Sequence, residues 1–357
     1  MNGNEKPDIR ALSADELIDF FISRNEKKFR AVQVFAWLWH KRCSSFEEMT
    51  DIPLPLRNQL SDHFSFHPAW QESEQESSDG TIKIGFRLYD GLVIEGVLIP
   101  SEGRTTACIS SQAGCALGCT FCATGTLGLH RNLTAGEMVD QVWLLNRKSL
   151  SIRHGRLSNI VYMGMGEPLF NYNQVIRSVE LITWKEGLGF SPQRITLSSV
   201  GVPKMIRKLA DDGVKSHFAL SLHAANDEKR NQIIPFNLTH PLSDLIDSLK
   251  YYVQKTGKRF TIEYLLLKDF NDSLQDAQEF AVFCRNFPVK INLIEYNPVD
   301  GVIYKRSAVK RMKMFRDFLE ARNLVVNVRK SRGKDIDAAC GQLAGKERRT
   351  RDERRET

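Results

Sequence analysis

From Pro100 onward, strand-like runs alternate with helix-like runs, and this rhythm constrains the fold more than any other feature of the sequence. Short apolar or β-branched runs stand at 106–111, 159–163, 194–199, 216–221, 260–266 and 289–294. Helical patterns fill the intervals near 134–147, 173–184, 203–211, 225–233, 241–256 and 273–286. A last helix at 308–322 and a last strand at 324–329 complete the series. Such alternation builds right-handed βαβ units on a parallel sheet, so the class is α/β. Six units are too few for an ordinary closed eight-fold barrel, and an open partial barrel or a doubly wound sheet both fit. In either case reactive groups belong at the carboxyl ends of the strands.

The chain before Pro100 follows other rules. Ser13-Ala14-Asp15-Glu16 is a capping box ahead of Leu17, Ile18, Phe20 and Phe21 at helical spacing. A second helix carries Val32, Phe35, Ala36, Trp37, Leu38 and Trp39, and a third runs from Leu56 to Phe64 after Pro53 and Pro55. Residues 1–70 therefore read as a helical accessory domain, with Lys27, Lys28, Arg30, Lys41 and Arg42 as a basic rim. Such a rim suits a solvated face or an RNA contact. Residues 71–103 read as a β-hairpin extension, because Ile82, Ile84 and Phe86 alternate with polar residues and Asp90-Gly91 supplies the turn before Leu92 to Ile99. Residues 104–345 form the α/β core, in which Thr134-Ala135-Gly136-Glu137 repeats the capping box, and 346–357 form a charged tail expected to be disordered.

No apolar run approaches the roughly 20 residues that span a bilayer. The polar start, Met1 to Pro7, argues against a secretory signal and for the cytoplasm, where thiols stay reduced. That compartment changes how the seven cysteines are read, because metal or redox chemistry then outranks a disulfide framework. The 50 basic and 43 acidic residues leave a formal charge of +7, which favours a polyanionic partner without establishing one.

Three cysteines crowd into one loop after the first core strand, as Cys115-Ala-Leu-Gly-Cys119-Thr-Phe-Cys122. Iron–sulfur cubanes are held by cysteine thiolates, usually four, so a compact loop offering three leaves one iron without a protein ligand. Catalytic metal sites keep such an open position. Zinc sites pair a C-x2-C knuckle with a second distant pair, which this sequence lacks. Cys43 and Cys284 fall in predicted helices beside apolar neighbours and read as small core residues.

The C-x3-C-x2-C spacing, with Phe121 before the third cysteine, resembles the signature of the radical S-adenosylmethionine (SAM) superfamily. The resemblance implies a 4Fe–4S cluster on Cys115, Cys119 and Cys122. It also implies that SAM binds at the open iron and is cleaved by one electron to a 5′-deoxyadenosyl radical. Gly164-Met-Gly166-Glu167-Pro168, placed after the next strand, resembles the superfamily's loop for the cofactor's amino group. The likeness narrows to the RlmN family of dual-specificity 23S rRNA and tRNA adenine-C2 methyltransferases. It rests on three segments: Cys108-Ile-Ser-Ser-Gln112, the Gly-Met-Gly-Glu-Pro-Leu run ending at Leu169, and Asp335-Ile-Asp-Ala-Ala-Cys340-Gly-Gln-Leu343.

Membership in that family implies a partial (βα)6 radical-SAM barrel with an N-terminal helical accessory domain and a small β-hairpin extension. The family's chemistry passes a methyl group from one SAM to the C-terminal cysteine, here Cys340. A second SAM per turnover abstracts a hydrogen from that S-methyl group, and the carbon radical adds to C2 of adenine as a protein–RNA adduct. Cys108 takes part in proton removal and adduct release, ending in a transient disulfide with Cys340. Residues that match cofactor contacts are Phe121, Gly166, Glu167, Ser198, Ser221, Leu222, His223 and Asn297, and Glu95 matches a proton acceptor. The implied substrates are the peptidyl-transferase-centre adenosine of 23S rRNA (position 2503) and adenosine 37 of tRNA. The implied electron donor is of the flavodoxin kind, and the expected protein is a monomer with no membrane partner. A sister family, Cfr, methylates C8 of the same rRNA adenosine and shares both cysteines. Pro168 after Gly-Glu disfavours it, since that family tends to carry alanine there. Arg329, Lys330, Arg332 and Lys334, just before Cys340, suit a solvated edge or a run that holds phosphates near it.

Overall fold

The computed structural model describes residues 6–152 and 154–343. The tail expected to be disordered lies outside these described residues. Three helices open the chain: α1 (Ala14–Ile22), α2 (Phe29–Ala36), which runs into one wide turn at Trp37–Lys41, and α3 (Leu54–His63). Ser13 and Glu16 form the expected capping box, each side chain taking the other's backbone N–H. Cys43 stands just beyond the wide turn rather than inside a helix, because Arg42 adopts a left-handed conformation (φ +60°) that ends it. It is buried all the same.

Among the described residues twelve strands follow, ten of them in one sheet. β1 (Trp70–Glu76), β2 (Ile82–Arg87), β3 (Val93–Ser101) and β4 (Arg104–Cys108) run antiparallel to one another. From β4 the sheet turns parallel through β7 (Asn159–Tyr162), β8 (Ile195–Ser199), β9 (His217–Ser221), β10 (Phe260–Leu266), β11 (Val289–Glu295) and β12 (Val326–Arg329). The remaining two strands, β5 (Gln112–Gly114) and β6 (Leu129–Asn132), make a separate ribbon. The helices between the parallel strands are α4 (Ala135–Ser151), α5 (Tyr172–Thr183), α6 (Pro203–Asp211), α7 (Asp227–Ile233) with α8 (Leu242–Thr256), α9 (Leu274–Cys284) and α10 (Val309–Glu320). Six strand–helix units and a seventh strand thus form an open, partial barrel. Its strand order is linear, with β1 at one edge and β12 at the other.

Two features escape a reading of the sequence. β1 has the sequence Trp-Gln-Glu-Ser-Glu-Gln-Glu and lies with nearly every residue exposed, so no apolar alternation marks it. Its charges suit an edge strand, which must discourage pairing with other chains. The first core strand ends at Cys108, not at residue 111, because Ser110 N leaves the ladder to bond the Gln141 side chain at 2.8 Å.

One carboxylate ties the opening helices to the barrel. Asp140 on α4 accepts from Arg10 Nη1 at 2.7 Å, from Arg42 Nη2, and from Ala69 N at 3.0 Å. Burial raises an acid's pKa, but the two guanidiniums outweigh that and hold Asp140 below the ordinary carboxylate range. Arg42 therefore faces inward and leaves the basic rim, while Lys27, Lys28 and Lys41 stay exposed. Arg177 on α5 adds bonds to the carbonyls of Arg10, Ala11 and Leu12. Replacing Asp140 by Ala takes the carboxylate from buried Arg42 and one of two from Arg10, which keeps Asp8 at 3.1 Å, and the expected loss of unfolding free energy is about 3–5 kcal/mol. Urea denaturation measures it, and a loss below about 1 kcal/mol contradicts this role.

Candidate active site

The three clustered cysteines occupy the loop that connects β5 to β6. The ribbon closes its base, with Cys115 N donating to Gly128 O at 2.8 Å. Gly114 (φ +79°) makes that closure possible, since a Cβ there would stand 2.0 Å from Gly128 O. Arg131 on β6 fastens the ribbon to α4 with a forked pair of bonds to Glu137, at 2.9 and 2.7 Å. Inside the loop, Cys122 N donates to Cys119 O at 3.1 Å and Gly125 N to Cys122 O at 3.0 Å. All three cysteines line one cavity at the carboxyl ends of the parallel strands.

Burial pushes the Cys115 thiol up to about 12, and raises Cys119 and Cys122 as well. Thiols held this way keep their protons at neutral pH, so metal loading must release them. Among the described residues, no group of three or more His, Cys, Asp and Glu side chains converges to hold a single metal ion. A cubane asks for a looser arrangement, with each thiolate on a different iron, and three soft sulfur donors suit it. The wall beside them offers one polar atom that lacks a protein partner, Tyr296 Oη, and Asn297 Oδ1, buried behind that wall, lacks one too. Those donors and acceptors fit a cluster with a polar cofactor next to it.

Glu167 reaches the cavity from the turn after β7. Its carboxylate accepts from Leu169 N at 2.9 Å and from Val200 N at 3.0 Å. Burial raises its pKa to about 7, although those two amides and Ser199 pull the other way. Gly166 (φ +95°) leaves no room for a side chain, because a Cβ would lie 2.4 Å from that of Gln112. Gln112 in turn accepts the Glu167 amide at 2.8 Å. His223 holds a left-handed conformation (φ +61°) that only surrounding structure can enforce. Leu265 N donates into its Nδ1 at 3.1 Å, and Asn271 Nδ2 donates to its carbonyl at 2.6 Å. Burial and the nearby Arg230 charge bring His223 down to about 3, so the ring is neutral, with its proton on Nε2. Phe121 meets it edge-on at 5.0 Å.

Ser198 and Ser221 face the same cavity, 3.3 Å apart. Leu222 and Asn297 stand behind the wall. Leu222 contributes backbone only, donating to Glu263 O at 3.1 Å.

The C-terminal segment folds back over the cluster loop. Ala123 N donates to Gly341 O at 2.7 Å and Thr124 Oγ1 to Leu343 O at 3.1 Å, which sets Cys340 at the rim. Asp335 accepts from Ser77 Oγ at 2.5 Å and Ser78 N at 3.0 Å, and Gln342 Nε2 donates to Pro298 O at 2.9 Å. Cys340 lines the cysteine cavity and also a second cavity, which holds Cys108, Arg104, Lys330 and Arg332. Arg329 stands between the two, its Nη1 3.1 Å from Glu263 Oε2. Burial works against its charge, yet Cys340 and Glu263 outweigh burial and raise its pKa above the ordinary value. Burial also lifts the Cys108 thiol, to about 12, while Arg329 draws it back.

Glu95 enters neither cavity. It is buried on β3, 3.2 Å from Lys83 Nζ, on the sheet face that also carries Cys108. Sequence reasoning missed Glu263, whose signal was a lone acid in the apolar strand Phe-Thr-Ile-Glu-Tyr-Leu-Leu. It also missed Tyr296, which precedes the matched Asn297.

The raised pKa of Glu167 has a measurable consequence. The folded state holds this proton more tightly than the unfolded chain, so the group's contribution is full below pH 4.5 and is lost as pH rises through about 7. The loss amounts to about 3 kcal/mol. Urea unfolding of metal-free wild type and Glu167→Gln across this window is expected to show wild type losing stability relative to the variant. A difference that stays constant with pH contradicts the assignment.

Comparison with known proteins agrees with this geometry. Residues 8–65 match the ribosomal RNA large subunit methyltransferase N-terminal domain, and residues 109–281 match the radical SAM superfamily. The chain is 52% identical to a probable dual-specificity RNA methyltransferase RlmN of Christiangramia forsetii, over 96% of this chain and 97% of that one. It is 43% identical to a dual-specificity RNA methyltransferase RlmN of Anaeromyxobacter sp., over 95% and 91% of the two chains. Among solved structures, a radical SAM methyltransferase from Sphaerobacter thermophilus superposes with a TM-score of 0.87 at 41% identity, covering 94% of this chain and 99% of that one. The chain belongs to the RlmN family of dual-specificity RNA methyltransferases, within the radical SAM superfamily.

Proposed function

We propose that this protein methylates C2 of adenosine in 23S rRNA and in tRNA, through a methyl group carried on Cys340 and a covalent protein–RNA adduct. The observation that supports this reading best is the position of Cys340, which borders both the cysteine cavity and the basic cavity that holds Cys108. C2 is an electron-poor amidine carbon, and it does not displace a methyl group from a sulfonium as an amine would. A methyl carrier that faces cofactor on one side and substrate on the other meets that difficulty.

Cys115, Cys119 and Cys122 hold the 4Fe–4S cluster, and Glu167, with the backbone after Gly166, receives the ammonium of SAM. Phe121, Ser198, Ser221, Leu222, His223 and Asn297 complete the cofactor's surroundings. Bound there, cluster and SAM supply one-electron cleavage to a 5′-deoxyadenosyl radical. The chain's own residues do the rest. Cys340 accepts a methyl group from one SAM and, after losing a hydrogen to a second cleavage, adds through that carbon to C2. Two SAM molecules serve each turnover. Cys108, with Glu95 as acceptor on the same sheet face, removes the C2 proton as the adduct gives up its unpaired electron to the oxidised cluster. Its thiolate then attacks the Cys340 sulfur, forming the disulfide as the S–CH2 bond breaks and the released carbon takes up one proton to become the methyl group. A thiol reductant then reopens the pair.

Arg104, Arg329, Lys330 and Arg332 give the second cavity a positive mouth suited to phosphates. Residues 1–70 form the accessory domain, with Lys27, Lys28 and Lys41 available to RNA. The remaining proposals are a cytoplasmic monomer and a flavodoxin-like electron donor. No helix among the described residues is long and apolar enough to cross a membrane.

Digestion of modified RNA followed by nucleoside mass spectrometry tests the regiochemistry: 2-methyladenosine is expected, and 8-methyladenosine contradicts it. Cys340→Ala is expected to lose methyl transfer to RNA while SAM still binds, and full methylation by that variant refutes the covalent route. Reversing Lys330 and Arg332 to Glu is expected to weaken RNA binding and flatten its dependence on salt, with the slope falling by about 0.7–0.9 for each phosphate that is no longer neutralised. An unchanged slope contradicts the phosphate role.

A further inference from the structure

Among the described residues Arg230 is the bulkiest of the fully buried side chains, 1% exposed, and the reaction above assigns it no task. It stands on α7, where Nε donates to Leu222 O at 3.1 Å and Nη2 to Val200 O at 2.5 Å. Nη1 donates to Asn237 Oδ1. All three acceptors are neutral. Among the described residues no carboxylate bonds this guanidinium; Asp227 lies one side chain away, accepting from Asn237 Nδ2 at 2.7 Å. A buried cation without a direct counter-ion is costly, so the arrangement calls for an anion close by.

The end of α7 is where the cysteine loop is attached. Thr120 N donates to Ile233 O at 3.1 Å and Thr120 Oγ1 to Gln232 O at 3.3 Å, so the cluster loop is bonded to the turn that follows Arg230. Cys119, the neighbour of Thr120, is thereby tied to the end of the helix that carries Arg230, and it lines the same cavity as Val200, whose carbonyl accepts from Arg230.

We propose that Arg230 is the fixed counter-charge of the iron–sulfur cluster, a positioning residue that raises the cluster's reduction potential. This rests on the cluster reading given above. One-electron reduction by an external low-potential donor adds one negative charge to the cluster and its three thiolates, and takes up no proton. A cation held nearby in low dielectric stabilises that more negative state over the oxidised one. Burial pulls Arg230 down to about 10, which still leaves it charged at neutral pH. The same fork joins the turns after β8 and β9, so charge and clamp must be separated in any test.

Cluster-loaded wild type, Arg230→Gln and Arg230→Lys are titrated anaerobically against solution potential, with the EPR signal of the reduced cluster as readout. Arg230→Gln is expected to lose roughly tenfold in the one-electron reduction constant, a negative shift of about 59 mV. Arg230→Lys keeps the charge without the fork and is expected to recover most of that loss. A purely structural role lowers the fraction of protein that holds a cluster and leaves the midpoint in place. If Arg230→Gln takes up no cluster, the exchange Asn237→Asp with Asp227→Asn decides, because it brings the carboxylate directly onto Nη1, keeps an amide to bond it from position 227, and draws the guanidinium's charge away from the cluster with the arginine retained. An unmoved midpoint in the variant that loads overturns the proposal. So does a Lys variant no better than Gln, or loss of cluster from both Arg230→Gln and the Asn237→Asp, Asp227→Asn exchange. A wild-type protein without a cluster signal overturns the underlying reading, and that result is distinct from a variant that loads normally at an unshifted potential.

Discussion

Ala123 N meets Gly341 O at 2.7 Å and Thr124 Oγ1 meets Leu343 O at 3.1 Å, joining the cluster loop to a segment more than 200 residues away in sequence. With those bonds in place, Cys340 stands beside the three cysteines and at the same time faces Cys108. Without them the two cavities would not share a wall. The supporting bonds run outward from there. Asp335 holds the segment to the turn at Ser77 and Ser78, and Gln342 holds it to Pro298. Asp335 and Gln342 thus account for part of the motif around Cys340 on structural grounds, and the cysteine is left free for chemistry.

Low dielectric sets the charge state of the rest. Around the cysteine cavity, burial favours protonated thiols, a carboxyl titrating near 7 and a neutral imidazole. These shifts have one direction: each group moves toward its uncharged form. Arg230 and Arg329 are the exceptions that stay charged, one behind the cluster loop and one between the cavities. Such a cavity is poised to receive an anionic cluster and a zwitterionic cofactor, because each incoming charge meets a partner that water no longer screens.

The α/β core was legible because its strands and helices follow two clean periodicities, and the strand at 260–266 and the helix at 203–211 have the same bounds in sequence and structure. Capping chemistry was legible at Ser13 and Thr134, where a side chain three residues on completes each box. β1 was not, since a strand exposed on both faces leaves no alternation to read. The β5–β6 ribbon was hidden for another reason: its strands are three and four residues long, and a close approach at Gly114 holds them. The loop that brings Cys115, Cys119 and Cys122 to one cavity could be picked out from spacing alone. The adjacency of Cys108 and Cys340 could not, because it depends on long-range backbone bonds, and only the family likeness pointed to it. Arg230 gave no signal either, in a helix that reads Asp-Glu-Lys-Arg and looks solvated until tertiary packing buries it.

The central claim is that Cys115, Cys119 and Cys122 carry a cubane with one iron left for SAM. Iron and acid-labile sulfide analysis of anaerobically prepared protein, read with its EPR spectrum after reduction, tests that claim most directly. About four irons and four sulfides per chain are expected, with a reduced-cluster signal that changes when SAM is added. Protein that binds only zinc, or that carries iron without sulfide and shows no such signal, contradicts it.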